Sequence, residues 1–253
     1  MLNLVTALEY FGICLIFVAL ILLLNGEGAR EQKLLIFIMC GSLVQNVGYL
    51  LELTAPTVEA AVAAVTVENV GSAFVPLCYC WFIYIYCYAA PPKPLLRTLA
   101  AVNFLVLPTV FFNWGGLFYR DFQWLSTADG FHYISITYGP LYILFMFTRI
   151  IIPYILCFTT LVRAIRMRSD REVNRQYQTI LFISTLPVVM LAAYVFKLFN
   201  VFDLTPVTLA IAMSMVVIVV WSRRNYDFRR LAAEKVLESL GDGVIALDDH
   251  DRL

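Results

Sequence analysis

Arg149 sits inside the apolar run Leu141-Tyr142-Ile143-Leu144-Phe145-Met146-Phe147-Thr148-Arg149-Ile150-Ile151-Ile152. A guanidinium keeps its charge, so in such surroundings it needs an anionic partner or several carbonyl oxygens. Two kinds of chemistry would supply one. The first is a structural ion pair with Glu68 or Glu52 that fixes the packing of neighbouring elements. The second is a seat for the carboxylate of a small ligand. Other polar residues recur at helical spacings that could share such a site. Gln45, Tyr49 and Glu52 follow an i, i+4, i+7 pattern and fall on one helix face, with Asn46 adjacent. Glu68 and Asn69 open another apolar run, Tyr138 and Tyr142 share a face with Arg149, and Tyr194 and Lys197 close a further run just before Asn200 and Asp203. Glu9, Glu52 and Lys197 are near run ends, where long side chains can also reach the membrane interface, which competes with a ligand role. The expected ligand-binding set is Arg149, Glu68, Glu52, Tyr49, Gln45, Tyr142, Lys197 and Glu9.

Catalysis and metal binding find less support. The six cysteines, Cys14, Cys40, Cys78, Cys80, Cys87 and Cys157, all lie in apolar runs, and neither His132 nor His250 is among them. That pattern predicts neither a disulfide framework nor a metal site. No phosphoacceptor region, ATP-binding glycine loop or nucleophile–base pair is present, so the chain as given reads as a non-enzyme without a cofactor. Gly26-Glu27-Gly28 is a loop fragment, not a phosphate cradle.

The elements that must position these residues are set by composition. Of 253 residues, 61% are apolar and only 14% charged, with a mean hydropathy of +0.80. Ordinary globular domains carry roughly 25% charged residues, so lipid is the expected solvent. A helix needs about 20 mostly apolar residues to cross a bilayer. Seven runs qualify, at 4–24, 33–53, 65–89, 95–112, 139–162, 179–199 and 205–221. The first lacks a basic leader and a cleavage site, which predicts a retained helix. The predicted fold is an all-α seven-transmembrane-helix bundle. Fifteen of the 18 Lys and Arg residues fall in the loops after runs 1, 3 and 5 and in the C-terminal tail. By the positive-inside rule this predicts an N-terminus outside and a C-terminus in the cytoplasm. No nucleic-acid partner is expected, although the formal net charge of zero is itself silent on this, because the charges are segregated.

Pro76, Pro108, Pro153 and Pro187 lie within runs 3 to 6, where each removes a backbone donor. They either shape the bundle or act as signalling hinges. The loop 113–135 is rich in aromatic residues, and Asp129-Gly130 lies between two strand-like stretches, which predicts a β-hairpin between helices 4 and 5. It reads either as an interfacial aromatic belt or as a lid over the polar cavity.

After run 7, residues 223–240 read as a helix in which Tyr226, Ala233, Val236 and Leu240 fall at steps of seven, three and four. A short coiled-coil seam between two copies and an amphipathic linker both fit. The tail Gly241-Asp242-Gly243-Val244-Ile245-Ala246-Leu247-Asp248-Asp249-His250-Asp251-Arg252-Leu253 resembles the opening strand and turn of a PAS domain. The preceding chain resembles the seven-helix N-terminal sensor region found before PAS and histidine-kinase or diguanylate-cyclase modules in bacteria and archaea. The resemblance rests on Glu68-Asn69-Val70-Gly71-Ser72-Ala73-Phe74-Val75-Pro76 with Trp81, Tyr138-Gly139-Pro140-Leu141-Tyr142, Arg175-Gln176-Tyr177-Gln178 and Asp203-Leu204-Thr205-Pro206. It implies a dimeric receptor in a prokaryotic cytoplasmic membrane with an enzymatic cytoplasmic output. The expected domains are a sensor at 1–222, a signalling helix at 223–240 and the start of a PAS domain at 241–253.

Rival seven-helix classes fit less well. A retinal protein needs a lysine in the seventh helix, and 205–221 has none. The Asp-Arg-Tyr of G-protein-coupled receptors is replaced by Tyr86-Cys87-Tyr88. A small-solute transporter or channel remains the alternative, because polar intramembrane residues also line substrate paths. The apolar inner halves of the runs favour a sensor, and Arg149 makes a small, carboxylate-bearing molecule its expected ligand.

Overall fold

The computed structural model describes residues 2–25, 30–126, 132–167, 170–196, 198 and 202–239, and no side chain is described for 30 or 223–239. Lys197, the Asp129-Gly130 turn and the PAS-like tail lie outside the described residues. Residues Met1–Val217 form one compact unit and Ile218–Leu253 a second.

Nine α-helices occur among the described residues: α1 (Leu2–Leu24), α2 (Arg30–Leu53), α3 (Val58–Ser72), α4 (Val75–Tyr86), α5 (Lys93–Phe112), α6 (Pro140–Met146), α7 (Ile152–Met167), α8 (Arg171–Val195) and α9 (Thr205–Ser239). A π-helical turn at Phe147–Ile151 joins α6 to α7. With α3–α4 and α6–α7 each taken as one span, seven helices are long and apolar enough to cross a membrane. The chain is therefore a multi-pass membrane protein. Its large apolar side chains also point outward: Phe11, Phe17 and Ile21 on α1 and Phe104, Leu105 and Phe112 on α5 are all more than half exposed. In water such a surface would drive aggregation; against lipid it is neutral.

Two of the expected runs differ from the helices that form. The third begins earlier than residue 65, because the Thr57 hydroxyl accepts from the Ala60 N–H and caps α3. The sixth begins earlier than 179, because the Asp170 carboxylate accepts from Glu172 and Val173 at the start of α8.

The expected hairpin is present as β1 (Tyr119–Ser126) and β2 (His132–Tyr138), antiparallel, with Phe122 opposite Ile136 and Trp124 opposite Ile134. Asn113 ends α5 in the left-handed conformation (φ 40°, ψ 46°) that Asn tolerates better than most residues. Its side chain then clasps the backbone of Tyr119: Asn113 Nδ2 donates to the Tyr119 carbonyl at 2.8 Å, and the Tyr119 N–H donates to Asn113 Oδ1 at 2.9 Å. The far end of β2 is tied back by the Gly139 N–H to the Phe118 carbonyl at 2.8 Å.

Close helix contact needs small residues. A Cβ on Gly71 of α3 would stand 2.5 Å from the Gln45 backbone nitrogen of α2, and one on Gly48 would stand 2.5 Å from the Glu68 nitrogen. Glycine at these positions lets α2 and α3 touch backbone to backbone. That contact places Gln45, Tyr49 and Glu52 beside Glu68 and Asn69.

Candidate functional site

Both irregular spans owe their irregularity to proline. Pro153 has no N–H for the Arg149 carbonyl, and just upstream the Ile152 N–H reaches back to the Phe147 carbonyl, widening one turn into a π-helix. In the other span Pro76 occupies the first turn of α4, and Ala73–Phe74 interrupt the helix before it. Asn103 of α5 bridges the two irregularities. Its Nδ2 donates to the Ala73 carbonyl at 3.2 Å, and its Oδ1 accepts from the Thr148 hydroxyl at 2.7 Å. The Ala73 carbonyl at the break is thus satisfied by a side chain, as a backbone group at membrane depth requires.

The π turn carries Arg149, which is 8% exposed. Its Nη1 donates to Ser72 Oγ at 2.6 Å and to Asn69 Oδ1 at 3.3 Å, and its Cζ lies 4.7 Å from the Phe145 ring centroid. Arg149 makes no ion pair among the described residues. Of the two readings left open for Arg149, a structural ion pair with Glu68 or Glu52 is not formed among these residues; its direct partners are a hydroxyl, an amide and an aromatic face. Nε has no hydrogen-bond partner there. From Asn69 the chain of contacts continues outward: Asn69 Nδ2 donates to the Tyr119 hydroxyl at 3.1 Å, at the base of the hairpin that Asn113 clasps.

Arg149 lines a cavity of about 540 Å³ at the hairpin end of the bundle. Gln45, Tyr49, Glu52, Glu68 and Tyr142 line the same cavity, so six of the eight expected site residues converge. Tyr133, Ile134, Ser135, Ile136 and Tyr138 of β2 and Leu125 of β1 also form part of its wall. The hairpin therefore covers the cavity. Tyr138 and Tyr142 stack with ring centroids 3.6 Å apart, tying that cover to α6. Glu9 is fully buried but does not line the cavity, and neither of its carboxyl oxygens has a partner among the described residues. It lies on α1 near the first turn of α9, where Gly12 approaches Ala210 and Val207.

Besides these six, the wall includes polar residues outside the expected ligand-binding set, among them Asp203, Ser72, Tyr154 and Tyr194. Asp203 precedes Thr205-Pro206, and its Oδ1 does accept from the Thr205 N–H at 2.8 Å, the ordinary capping role. Its backbone N–H donates to the Tyr49 hydroxyl at 2.8 Å, which joins this loop to α2 and turns the carboxyl toward the cavity. Burial pushes the Asp203 carboxyl above the usual range, against the opposing pull of the Thr205 bonds and of Arg149. Only the position of Asp203 just ahead of a helix start hinted at a fixed carboxylate; its cavity-facing side could not be read from spacing.

Away from the hairpin α4 and α8 meet through hydroxyls and aromatic rings. The Tyr79 and Ser184 hydroxyls bond at 2.5 Å. From there rings follow in contact, Tyr79 to Phe82 to Tyr86 at 6.0 and 5.5 Å, ending edge-on against Tyr177 at 5.7 Å.

Among the described residues no group of three or more His, Cys, Asp or Glu side chains is placed to hold a metal. A family model described as the N-terminal 7TM region of histidine kinase matches residues 7–229. No curated protein matches the chain.

Proposed function

The chain belongs to the family of N-terminal 7TM regions of histidine kinases, a non-catalytic membrane sensor region, and on that premise we propose that it is the ligand-binding part of a receptor. A small, carboxylate-bearing molecule enters the cavity under the hairpin, with Arg149 as its anchor. The single observation that carries this reading is a buried guanidinium in a cavity of about 540 Å³, bonded only through Nη1 to neutral groups. Small-molecule pockets commonly fall between about 300 and 1,000 Å³.

In this reading the hairpin end faces outside and the basic end faces the cytoplasm, in a prokaryotic inner membrane. Ligand binding favours one of two bundle arrangements in proportion to its differential affinity. Asp203, Thr205 and Leu209 line the cavity at the start of α9, so ligand contact acts directly on the helix that precedes the cytoplasmic segment of the chain. The output is a PAS and histidine-kinase type module of a two-component system, in a homodimer.

The transporter reading is separated by flux. Radiolabelled small carboxylates should bind the purified protein in nanodiscs saturably, and sealed vesicles containing it should accumulate none of them. Protein-dependent uptake would overturn the receptor reading. Ser126→Cys in a cysteine-free background should react with an impermeant maleimide added to intact cells; protection until lysis would reverse the orientation.

A further inference from the structure

The cavity wall holds three carboxyl groups, Glu52, Glu68 and Asp203, against one permanent cation, Arg149, among the described residues. When all are ionised, the described lining residues sum to two negative charges. An excess of one sign away from water is costly unless a counter-charge answers it. A ligand that was only an anion would add to that excess. A ligand that was only a cation would leave the guanidinium bonded to neutral groups alone.

Two further observations mark the site as built for a polar molecule. Arg149 and Gln45 are 8% and 6% exposed, both line the cavity, and Arg149 Nε and Gln45 Oε1 have no hydrogen-bond partner among the described residues. The carboxyl groups also stand among tyrosine rings, with Tyr49, Tyr138 and Tyr194 on the same wall. Ring faces attract organic ammonium groups, and carboxylates beside them strengthen the attraction.

We propose that the ligand is a zwitterion of amino-acid size, its carboxylate at Arg149 and its ammonium held by Glu52, Glu68 and Asp203. This rests on the reading that Arg149 seats a carboxylate, and it adds the second charge. The arrangement selects by charge pattern: one end satisfies the guanidinium, and the other offsets the acidic excess.

The test uses the full chain in nanodiscs and the proteinogenic L-amino acids as probes. Each is paired with its N-acetyl derivative, which keeps only the carboxylate, and its amide, which keeps only the ammonium. Thermal unfolding reads binding as a saturable rise in Tm. At least one amino acid should bind, with its N-acetyl and amide forms each at least tenfold weaker. Glu68→Gln should weaken the amino acid at least tenfold and should not weaken the N-acetyl form, for which it removes a repelling charge. Asp203→Asn serves the same purpose if Glu68→Gln does not give a monodisperse protein. An N-acetyl form that binds as tightly as its amino acid overturns the zwitterion and leaves the carboxylate reading standing. An amide that binds as tightly overturns both, and so does the absence of any saturable shift across the panel.

Discussion

At the hairpin end, two spans depart from regular helix: α3 and α4 part at Ala73–Phe74, and α6 passes into α7 through a π turn. Toward the other end α4 and α7 run without interruption, and the rings of Tyr79, Phe82, Tyr86 and Tyr177 pack against one another. Both ends contain tyrosines and hydroxyls, so composition alone does not separate them. The difference lies in where the polar atoms end their bonds. In the ring ladder, Tyr79 and Ser184 satisfy each other at 2.5 Å. In the cavity, Arg149 and Gln45 keep polar atoms without partners among the described residues. A fully satisfied buried polar contact rigidifies its surroundings, whereas an unpaired polar atom in a cavity carries a cost that a ligand's hydrogen bond would relieve.

Substitutions can sharpen or break this contrast. The largest effect is expected for Arg149→Ala, which should weaken ligand binding by roughly 100-fold, as loss of a charge-assisted pair of bonds costs about 2–3 kcal/mol. Assembly and detergent-solubilised size should be unchanged, because Ser72 still donates to the Glu68 carbonyl. Normal binding by that variant would remove Arg149 from the site.

Gly71→Ala comes next. The added Cβ meets backbone atoms of α2, the Gln45 nitrogen at 2.5 Å and the Gly41 carbonyl oxygen at 2.9 Å, so α2 must move. Overpacking of this kind costs about 1–3 kcal/mol. Both Tm and ligand affinity should fall, since α2 carries Gln45, Tyr49 and Glu52. A fall in Tm alone would mean that the cavity tolerates a displaced wall.

Tyr79→Phe tests the other end. It removes one buried hydroxyl bond, worth about 1 kcal/mol, and should lower Tm by a few degrees while leaving ligand affinity unaltered. An equal loss of affinity would show that the two ends are not independent.

The smallest effect is a change of slope. The Asp203 carboxyl is raised by burial, so the folded protein holds that proton more tightly than the unfolded chain does. Stability therefore falls as pH rises from the ordinary aspartate range through the raised value, and is level above it. Asp203→Asn should flatten Tm against pH across that window. An unchanged profile would place the carboxylate in water.

The hairpin offers a second lesson about the two ends. Asn69 links Arg149 to the Tyr119 hydroxyl, and Asn113 holds the Tyr119 backbone through two bonds. The guanidinium is thus connected to the cover of the cavity by side chains from α3 and α5. No such relay leads from Arg149 toward the ring ladder among the bonds described.

Much of this was legible in the chain itself. Seven apolar runs, the Asp129-Gly130 strand break and the i, i+4, i+7 spacing of Gln45, Tyr49 and Glu52 are local signals. They depend on hydrophobic length and periodicity, and helices and a hairpin answer them directly. Tertiary structure alone decided what Arg149 meets. Its partners Ser72 and Asn69 are 77 and 80 residues away, so the pairing depends on how α3 meets the π turn that carries Arg149. The apolar setting of Arg149 called for an anionic partner or several carbonyl oxygens; packing supplied a hydroxyl and an amide and brought Asp203 into the wall. Which polar groups remain unanswered depends on contacts between distant segments, and periodicity carries no record of those contacts.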